Sequence, residues 1–375
     1  MSGLVLKTVA EVGLDAFIDV PYRIYRDLPN WIPPLRLERR DLLKPGGSPF
    51  AKRAEIEMWV AYRDGRPVGR ISAQIDPAAQ ARYPGVGHFG MIAAEDDAEV
   101  FDRLFDAAEA WLAARGMTSV LGPMNLSINQ ECGLQVHGFD TLPMLMMPHD
   151  PPYAAAHLAR RGYAKARDLH AFVLDSRTVS DRMVKVLTRK LSGGATVRPL
   201  NWKDYDAEVA RMVAIFNDAW ADNWGFIPMD EAEVAHLAKE LKPLIDRRLV
   251  YFAEADGEAF AFIVCLPNLN EAIADLDGRL LPFGWAKLLW RLKVRGVTSG
   301  RVLLMGVTRA MAATATGRLA PFHLIGKVRE EVLRQGIHTI EIGWILEDNG
   351  PMLSIADALC GPPYRTNRLF ERSLG

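Results

Sequence analysis

The chain carries two similar successions of strand and helix signals, and this internal repeat constrains its fold more than any other feature. In each copy, two β-rich runs flank an Asp-Gly pair, at Asp64-Gly65 in the first copy and at Asp256-Gly257 in the second. An Asp-Gly pair in this setting is a strong signal for a β-hairpin. The sequence therefore predicts one hairpin in each copy.

The correspondence continues downstream of the hairpins. Residues 102–115 have a helical pattern that stops at Gly116, and residues 321–335 have one that stops at Gly336. A glycine just after a helix is the usual stop signal. A strand and a Gly-Pro-Met tripeptide follow in both copies. The two stop glycines lie further apart than the hairpin glycines, which indicates an insertion in the second copy at residues 278–301.

This order of elements predicts an α/β (α+β) chain with two tandem domains, each a mixed, mainly antiparallel sheet flanked by helices. We place the first domain at residues 1–175, a linker at 176–195 and the second domain at 196–375. The linker prediction rests on a polar, basic stretch and on the Ser192-Gly193-Gly194 break. A length of 375 residues fits two or three domains.

Composition excludes several classes of protein. A hydrophobic fraction of 49% and a formal net charge of −1 exclude a disordered chain and do not favour a nucleic-acid-binding protein. Cys132, Cys265 and Cys360 form no CxxC pair, and the eight histidines show no ligand spacing, so we expect no metal and a reducing compartment. The N-terminus lacks a basic, then apolar signal-peptide pattern, and no stretch has the roughly 20 apolar residues of a membrane span. We therefore expect a cytoplasmic protein.

The order of hairpin, strand, helix and strand resembles the GNAT acyltransferase fold. In that fold a strand opens into a loop that holds the pyrophosphate of acyl-CoA at a helix N-terminus, where backbone N–H groups and the helix dipole bind phosphate. The resemblance implies a strand at 302–308, a loop at 309–320 and a helix at 321–335. The loop reads RAMAATATGRLAP and departs from the family's glycine-rich pattern, since it has only Gly317, followed by Arg318.

The resemblance also implies where acyl-CoA binds. We expect it as a co-substrate of the second copy, with no tightly bound cofactor. The first copy lacks such a loop, and its AEDDAEV segment would repel phosphate. In the second copy, Glu347 is an alternative base and Tyr364 an alternative acid for the leaving thiolate. The residues expected to bind acyl-CoA are Val307, Thr308, Arg309, Gly317, Arg318 and Asn349.

Nearly the whole chain resembles a tandem-GNAT group of bacterial proteins that includes the bacterial ceramide synthases. The motifs that carry this resemblance are WIPPLRLERRDLL (31–43), GPMNLSINQECG (122–133), MLMMPHDPPY (144–153) and IEIGWILEDN (340–349). The resemblance implies N-acylation of a sphingoid base or another long-chain amine, with acyl-CoA as donor. The protein would then be an enzyme of sphingolipid biosynthesis.

Amide formation from a thioester needs a base for the amine, a donor for the carbonyl oxygen and an acid for the thiolate. Two motifs of the first copy concentrate such groups. In the motif 122–133, polar residues alternate and would share one face of an extended segment. In the motif 144–153, polar residues follow an apolar methionine run, as expected of a lipid headgroup site. Turn and cap positions are an alternative explanation for both.

From these motifs we assign two roles. The expected catalytic residues are Glu131, His149 and Tyr153, with Glu131 and His149 as the candidate bases. The expected substrate-binding residues are Asn125, Ser127, Asn129 and Asp150.

The insertion at 278–301 contains six basic residues and no acid. Lys287, Arg291 and Arg295 are spaced to form one helical stripe, with tryptophan and leucine residues largely opposite. Such a segment suits the surface of an anionic membrane. A helix packed on the protein with a solvated basic edge is the alternative. The expected membrane-contacting residues are Trp285, Lys287, Trp290 and Arg291.

The leading hypothesis is therefore a lipid-directed N-acyltransferase, peripheral on the inner face of the inner membrane. Its expected partners are acyl-CoA or acyl carrier protein, a long-chain amine lipid and the membrane surface, with no nucleic acid. One alternative is a tandem-GNAT aminoacyl transferase or another N-acyltransferase with a different amine acceptor. Another is a non-catalytic pair of GNAT domains that binds acyl-CoA or lipid. The sequence leaves the oligomeric state open.

Overall fold

The computed structural model describes residues 3–188, 191, 194–243 and 245–375. Ser192 and Gly193 of the predicted linker break lie outside these residues. The described chain forms two units. Unit 1 comprises Met1–Leu169, Ile273–Trp285 and Arg365–Gly375, and unit 2 comprises His170–Ala272 and Ala286–Tyr364. The boundaries that we placed at 175 and 195 remain predictions.

Residues 4–175 form seven strands and seven helices. The strands are β1 (Leu4–Thr8), β2 (Glu55–Arg63), β3 (Arg66–Ile75), β4 (Val86–Ala94), β5 (Ser119–Gly122), β6 (Leu134–His137) and β7 (Ala164–Asp175). The helices are α1 (Val9–Val12), α2 (Leu14–Ile24), α3 (Arg36–Leu43), α4 (Pro49–Arg53), α5 (Pro77–Arg82), α6 (Ala98–Ala113) and α7 (Ala154–Arg160).

The remaining chain contains the second copy and then a last strand. The strands are β8 (Thr196–Pro199), β9 (Val250–Ala255), β10 (Glu258–Pro267), β11 (Ser299–Val307), β12 (Thr339–Leu346) and β13 (Arg365–Ser373). The helices are α8 (Asp181–Leu187), α9 (Tyr205–Ala219), α10 (Glu231–Leu241), α11 (Leu269–Ile273), α12 (Gly284–Trp290), α13 (Arg309–Ala312), α14 (Ala315–Arg334) and α15 (Gly350–Cys360).

Both predicted hairpins are present. β2 and β3 pair antiparallel with Arg63 opposite Arg66, and β9 and β10 pair antiparallel with Ala255 opposite Glu258. The Asp and Gly of each turn all have positive φ, from 52° to 85°. Asp and Gly tolerate this conformation, which a two-residue turn between right-twisted strands requires.

The strand order of unit 1 is β1-β2-β3-β4-β5-β13, with β6 also paired to β13. In unit 2 the order is β12-β11-β10-β9-β8. Each unit has one parallel pair, β4 with β5 and β11 with β12, and the other pairs named here are antiparallel. This is the predicted mixed, mainly antiparallel sheet.

The parallel pairs are short in both copies. β4 pairs with β5 from Val86 to His88, although β4 continues to Ala94. β11 pairs with β12 from Ser299 to Val302, although β11 continues to Val307. Each unit therefore presents the free end of a strand beyond its parallel pairing, and the candidate site residues lie at these ends.

One long helix covers the sheet in each unit. In unit 1, α6 buries Phe101, Leu104 and Phe105 in the core that also contains Phe89. In unit 2, α14 buries Leu324 and Val328 against strand residues such as Ile263 and Ile340. Burial of each such side chain contributes about 1.5–3 kcal/mol, and these two cores account for the apolar periodicity of the helices.

The start of α14 differs from the prediction. We expected a loop at 309–320 and a helix from residue 321, but α13 occupies Arg309–Ala312 and α14 begins at Ala315. The Oγ1 atom of Thr314 accepts a hydrogen bond from Gly317 N at 3.0 Å and so caps the helix. Pro321, which we took as the helix start, lies inside α14. Gly317 and Arg318 therefore belong to the first turn of a helix.

Candidate functional site

The motif 122–133 in unit 1 forms a closed loop. Met124 pairs with Cys132 in an isolated antiparallel bridge, and Gly133 N donates to Pro123 O at 2.8 Å. Met124 N donates to Phe89 O of β4 at 2.8 Å. The extended conformation that would put four alternating polar side chains on one face is therefore wrong, because hydrogen bonds close the segment into a loop.

Asn125 and Glu131 connect the two ends of this loop. Asn125 Oδ1 accepts from Met91 N of β4 at 2.8 Å, and its Nδ2 donates to Glu131 Oε2 at 3.1 Å. Asn125 N also donates to Glu131 O at 2.9 Å. The amide of Asn125 thus holds the loop to the free end of β4. This is a structural role, similar to that of the turn residues named above as the alternative explanation.

Glu131 forms an ion pair with Arg39 of α3, in which both guanidinium Nη atoms face the carboxylate. Burial alone would raise the pKa of Glu131, but the charge and hydrogen bonds of Arg39, together with Asn125, outweigh burial and lower it. Glu131 is therefore ionised at neutral pH and has a low affinity for protons. Its predicted role as a base requires the ion pair to open.

Ser127 and Asn129 lie at the tip of the same loop, where both are partly buried. Ser127 O accepts from Gln130 N at 3.2 Å in a turn. The structure thus brings the four predicted residues of this motif into one loop but separates Asn125 and Glu131 at its ends from Ser127 and Asn129 at its tip.

His149 is buried, and both of its ring nitrogens have partners. Nε2 lies 2.8 Å from Pro29 O and Nδ1 lies 3.1 Å from Arg365 Nη2. This network fixes the neutral tautomer with the proton on Nε2. Burial, and then the charge of Arg365, lower the pKa of His149 to about 4. The ring is therefore neutral at pH 7. To act as a base, its unprotonated Nδ1 atom must separate from Arg365.

Asp150, the next residue, has a different environment. Its Oδ2 accepts from Gln135 N of β6 at 3.1 Å. Burial raises the pKa of Asp150 to about 7; the Gln135 hydrogen bond and Arg365 oppose this shift, and Glu131 adds to it. A carboxyl group with a pKa near neutrality can both accept and release a proton at physiological pH, as general acid–base catalysis requires.

Tyr153 caps the start of α7 and packs inside unit 1. Its hydroxyl donates to Ala94 O at 2.6 Å, and its ring contacts Phe101 and His157 edge-on. Burial raises the pKa of Tyr153. Its hydroxyl is therefore protonated and engaged with the backbone at the end of β4.

The last strand, β13, contributes residues that the sequence analysis missed. Arg365 is fully buried and donates to Pro148 O at 2.9 Å and to Thr141 O at 2.8 Å, which orders the loop before Asp150. Asn367, two residues on, lies on the same face of the strand and directly opposite Gln135 of β6. The consecutive polar residues 365–368 in this strand were the available signal, but the strand's partner β6 is distant in sequence.

The side-chain amides of Gln135 and Asn367 are fully buried. Within the described residues, Asn367 Nδ2, Asn367 Oδ1 and Gln135 Oε1 have no hydrogen-bond partner. A buried polar group without a partner costs about 1–3 kcal/mol.

In unit 2, the predicted acyl-CoA residues lie at the free end of β11. Val307 pairs with Ala261, and Thr308 N donates to Phe260 O at 2.8 Å. Arg309 N donates to Asp218 Oδ2 at 2.7 Å, and its guanidinium pairs with Asp218 and Asp222. The Arg309 charge is therefore shared with two carboxylates of its own unit.

Gly317 permits a close approach between α13 and α14. A Cβ atom at this position would overlap the carbonyl oxygen of Met311, so no larger residue fits without movement. The first turn of α14 also carries Arg318, which is exposed. A helix N-terminus with a neighbouring basic residue is suited to binding phosphate.

The remaining second-copy candidates have structural contacts. Asn349 Oδ1 caps α15 by accepting from Met352 N at 3.3 Å. Tyr364 donates to Glu341, which forms a buried ion pair with Arg301 at 2.8 Å. Glu347 lies in the turn before Asn349. Arg301 was counted with the basic insertion, but it is buried in β11, because the insertion ends before this strand.

Segment 281–294 exposes apolar and basic side chains together. The exposed fraction is 79% for Leu281 and 78% for Phe283. Trp285, Leu289, Trp290 and Val294 are exposed as well. Lys287 is exposed and Arg291 is partly buried, its Nη1 donating to Ala272 O at 2.7 Å. Leu288 and Leu292 pack on the core of unit 2 and so differ from the other apolar residues of the segment.

Three further findings concern metal ligands, two of the thiols and membrane spans in the described residues. In that part of the chain there is no cluster of three metal-ligating side chains. Burial raises the pKa of Cys265 and of Cys360 to about 12, so both thiols are protonated. Across the same residues, no helix has the length and apolar character needed to span a bilayer.

Solved structures similar to this chain include a tandem GNAT protein and GCN5-related N-acetyltransferases. A tandem GNAT protein from the clavulanic acid biosynthesis pathway superposes with a TM-score of 0.59 at 15% identity and covers 100% of this chain and 99% of its own. A GCN5-related N-acetyltransferase from Sphaerobacter thermophilus gives a TM-score of 0.53 at 11% identity, over 99% and 96% of the two chains. The fold is therefore of the tandem GNAT type, as predicted.

Sequence relatives define the family within this fold. A protein of Caulobacter vibrioides named bacterial ceramide synthase is 51% identical, over 100% of this chain and 98% of that protein. Protein YghO of Escherichia coli is 44% identical, over 99% and 96% of the two chains. No protein-family model matches the sequence. The chain is an acyltransferase of the tandem GNAT type. It belongs to the bacterial ceramide synthase family.

Proposed function

We propose that this protein transfers a long-chain acyl group from acyl-CoA to the amine of a sphingoid base, in sphingolipid biosynthesis. The observation that carries the proposal is 51% identity over the full length to a protein named bacterial ceramide synthase. In the reaction, the amine nitrogen bonds to the thioester carbonyl carbon, the C–S bond breaks, and the thiolate takes up the proton that the amide nitrogen loses.

The donor side of the proposal concerns unit 2. The first turn of α14, with Gly317 and Arg318, would hold the phosphates of acyl-CoA, and the free end of β11 at Val307 and Thr308 would bind the thioester arm. The helix dipole and backbone N–H groups supply the attraction. Asp218 holds both the backbone N–H and the side chain of Arg309, and Asp222 also pairs with the side chain, so a contact from Arg309 to acyl-CoA would require these bonds to open.

The acceptor side concerns unit 1. The loop 123–133 and the segment that contains His149 and Asp150 would shape a polar site for the headgroup. Glu131, His149 and Tyr153 remain the predicted catalytic residues, and Asn125, Ser127, Asn129 and Asp150 the predicted substrate contacts. In this structure Arg39 pairs with Glu131, and Arg365 donates to the unprotonated Nδ1 of His149. Substrate binding would have to displace Arg39 or Arg365 before either residue could act as a base.

The membrane part of the proposal concerns segment 281–294. Phe283, Trp285 and Trp290 would enter the boundary between headgroups and acyl chains, while Lys287 would face anionic lipid. A peripheral position on the inner face of the inner membrane would follow, since a sphingoid base resides in a bilayer.

A mass-spectrometric assay on purified protein tests the proposed reaction. Long-chain acyl-CoA is offered with sphinganine or 3-ketosphinganine in detergent, and acetyl-CoA with small polyamines serves as the contrast. We expect an N-acyl sphingoid product from the long-chain pair alone. Product that disappears in Glu131→Gln or His149→Ala, while acyl-CoA binding is retained, supports the predicted catalytic residues. Product that persists in both variants would show that neither Glu131 nor His149 is the base.

A second candidate function is a non-catalytic pair that binds acyl-CoA or lipid. The loop that keeps only Gly317 of the family's glycine pattern favours it. Acyl-CoA binding without product from any acceptor would support this candidate and contradict the proposed transferase.

A further inference from the structure

Three polar side chains of unit 1 are connected through two neighbouring strands. Asn367 of β13 lies directly opposite Gln135 of β6, so their side chains lie on the same face. Gln135 N donates to Asp150 Oδ2 at 3.1 Å, which joins the carboxylate to the same strand. Gln135 and Asn367 entered none of the roles assigned so far.

Both amides are buried, and Gln135 Nε2 donates to His137 O at 3.4 Å, but the other three amide atoms make no such contact within the described residues. Asn367 Nδ2, Asn367 Oδ1 and Gln135 Oε1 have no partner among the described residues, and both side chains are 0% exposed. Elsewhere in the same unit, the buried amide of Gln74 donates to Met124 O at 2.7 Å. Native interiors rarely leave amides without partners, and those that remain call for a ligand or an ordered water. One unpaired donor beside unpaired acceptors matches a hydroxyl, which both donates and accepts.

The carboxylate of Asp150 supplies the negative charge that would bind an ammonium group. In the described part of the chain its carboxylate accepts one hydrogen bond, from Gln135 N. Arg365, the nearby cation, donates to Pro148 O, Thr141 O and His149, and so orders the loop that carries Asp150. Gln135 thus contributes a backbone N–H to Asp150 and a side-chain amide beside Asn367, and a vicinal amino alcohol offers an ammonium group for the carboxylate and a hydroxyl for the amides.

We propose that Asp150, Gln135 and Asn367 form the acceptor headgroup site for a vicinal amino alcohol, in which Asp150 takes the ammonium proton and the amides bind the neighbouring hydroxyl. This inference rests on the proposed function and deepens it. The proton passes from the ammonium nitrogen to the Asp150 carboxylate and leaves a neutral amine. That amine bonds to the thioester carbon, the C–S bond breaks, and the thiolate takes the second nitrogen proton.

The substitution Asn367→Leu tests the hydroxyl contact. Sphinganine and a chain-matched primary amine without hydroxyl groups are compared as acceptors. We expect kcat/KM for sphinganine to fall about 10-fold or more, and kcat/KM for the simple amine to change less than about 3-fold. Equal loss for both acceptors would overturn the assignment, because a structural role does not distinguish them.

Asn268→Leu is the matched control for the loss of a buried amide. Asn268 is also buried, and its Nδ2 donates to Ser299 Oγ at 3.0 Å in unit 2. We expect this variant to affect the two acceptors alike, whatever its effect on stability.

The substitution Asp150→Asn tests the proton transfer. The amide keeps an oxygen for Gln135 N but cannot take a proton, so we expect kcat to fall about 100-fold or more with little change in acyl-CoA binding. The remaining rate should rise with pH as more free amine enters from solution. A kcat within about 3-fold of the parent would overturn the role of Asp150.

A binding experiment separates this inference from the proposed function. If the parent protein forms no N-acyl product, the proposed function fails. Calorimetric titration with a short-chain 2-amino-1,3-diol then decides the inference. Binding that Asn367→Leu weakens supports the site without the reaction. No binding, or binding that Asn367→Leu leaves unchanged because an ordered water satisfies the amides, contradicts it.

Discussion

Glu131 and Asp150, two carboxylates of unit 1, are shifted in opposite directions by their neighbours. Arg39 pairs with Glu131 and holds its pKa below the ordinary range. Asp150 has a backbone hydrogen bond in place of a paired cation, and burial raises its pKa to about 7. Two acids of the same type thereby acquire different protonation at neutral pH, which is how a site assigns separate roles to similar groups.

The raised pKa of Asp150 predicts a pH-dependent gain in stability for Asp150→Asn. The folded protein holds the Asp150 proton up to about pH 7, whereas the unfolded chain releases it near the ordinary aspartate pKa of 3.8. The stability that this protonation provides is therefore complete below about pH 4 and lost as the pH rises through 7. At pH 8 we expect Asp150→Asn to increase the free energy of unfolding by roughly 2–4 kcal/mol.

Urea unfolding at pH 5 and pH 8 measures this effect. The groups that act on Asp150 are Arg365 and Glu131, and Tyr25 and Tyr153 are sensitive to its charge. The gain should shrink towards pH 5, where the parent is also neutral at this position. A loss of stability at pH 8 would show that Asp150 is a structural carboxylate rather than a strained one.

The ion pair between Arg39 and Glu131 predicts a large loss on removal of the cation. Arg39→Met leaves a buried carboxylate without its partner, and we expect unfolding free energy to fall by about 3–5 kcal/mol at pH 7. Arg40→Met is the control, because Arg40 pairs with Asp15 where both side chains are more than half exposed. That variant should show little change in the free energy of unfolding, because solvent screens an exposed ion pair. Urea unfolding measures both free energies. Similar losses for the two variants would contradict the claim that burial makes the Arg39–Glu131 ion pair more important than an exposed one.

At the scale of elements, the glycine at the start of α14 controls how closely two helices approach. Gly317→Ala places a methyl group against Met311 O, so α13 and the first turn of α14 must separate. We expect a stability loss of about 1–3 kcal/mol and a several-fold weaker affinity for acyl-CoA. Thermal unfolding and equilibrium binding measure the two effects.

Gly350→Ala provides the comparison. Gly350 is also in the first turn of a helix, α15, but a Cβ there meets no atom within 4 Å. We expect Gly350→Ala to change neither the free energy of unfolding nor the affinity for acyl-CoA. If Gly317→Ala behaves in the same way, the first turn of α14 does not hold the phosphates.

Elements with local signals were predictable from the sequence, and those fixed by distant contacts were not. The Asp-Gly hairpins depend on two residues with positive φ, and both were found. The conformation of loop 123–133 depends on hydrogen bonds to Phe89 and Met91 in β4, which no local pattern reveals. The start of α14 carried a local signal, the cap at Thr314, which Pro321 obscured.

The candidate site also contains residues with a local sequence signal and residues that only distant contacts bring together. Asp150 stood out in the sequence because it lies among polar residues beside an apolar run. Gln135 and Asn367 become neighbours only when β6 pairs with β13, more than half the chain away. Their significance depends on burial without partners, which only the folded structure reveals.

On the scale of the whole molecule, segment 281–294 predicts binding to anionic bilayers. The double substitution Phe283→Ser and Trp285→Ser removes two exposed aromatic side chains, and we expect it to weaken vesicle binding about 10-fold or more. Flotation with phosphatidylglycerol vesicles measures this. Binding should also fall with salt, because Lys287 and its basic neighbours are attracted to charged lipid.

Val5→Ser is the control, since Val5 is another exposed apolar side chain, 48% accessible on β1. It should leave vesicle binding unchanged. If the parent does not float with anionic vesicles at low salt, the membrane role of the segment is excluded, although the acyl transfer reaction could still proceed in detergent.

The place of β13 in unit 1 has a consequence for biosynthesis. The strand that supplies Arg365 and Asn367 to unit 1 is translated after the whole of unit 2. The first 169 residues therefore emerge from the ribosome long before their sheet can be completed. Domains often fold in order from the N-terminus during synthesis, but this site cannot form in that order. Nascent chains that lack the last eleven residues would contain the whole of unit 2 but would lack Arg365 and Asn367. The sheet of unit 1 can therefore be completed only after unit 2 has been synthesised.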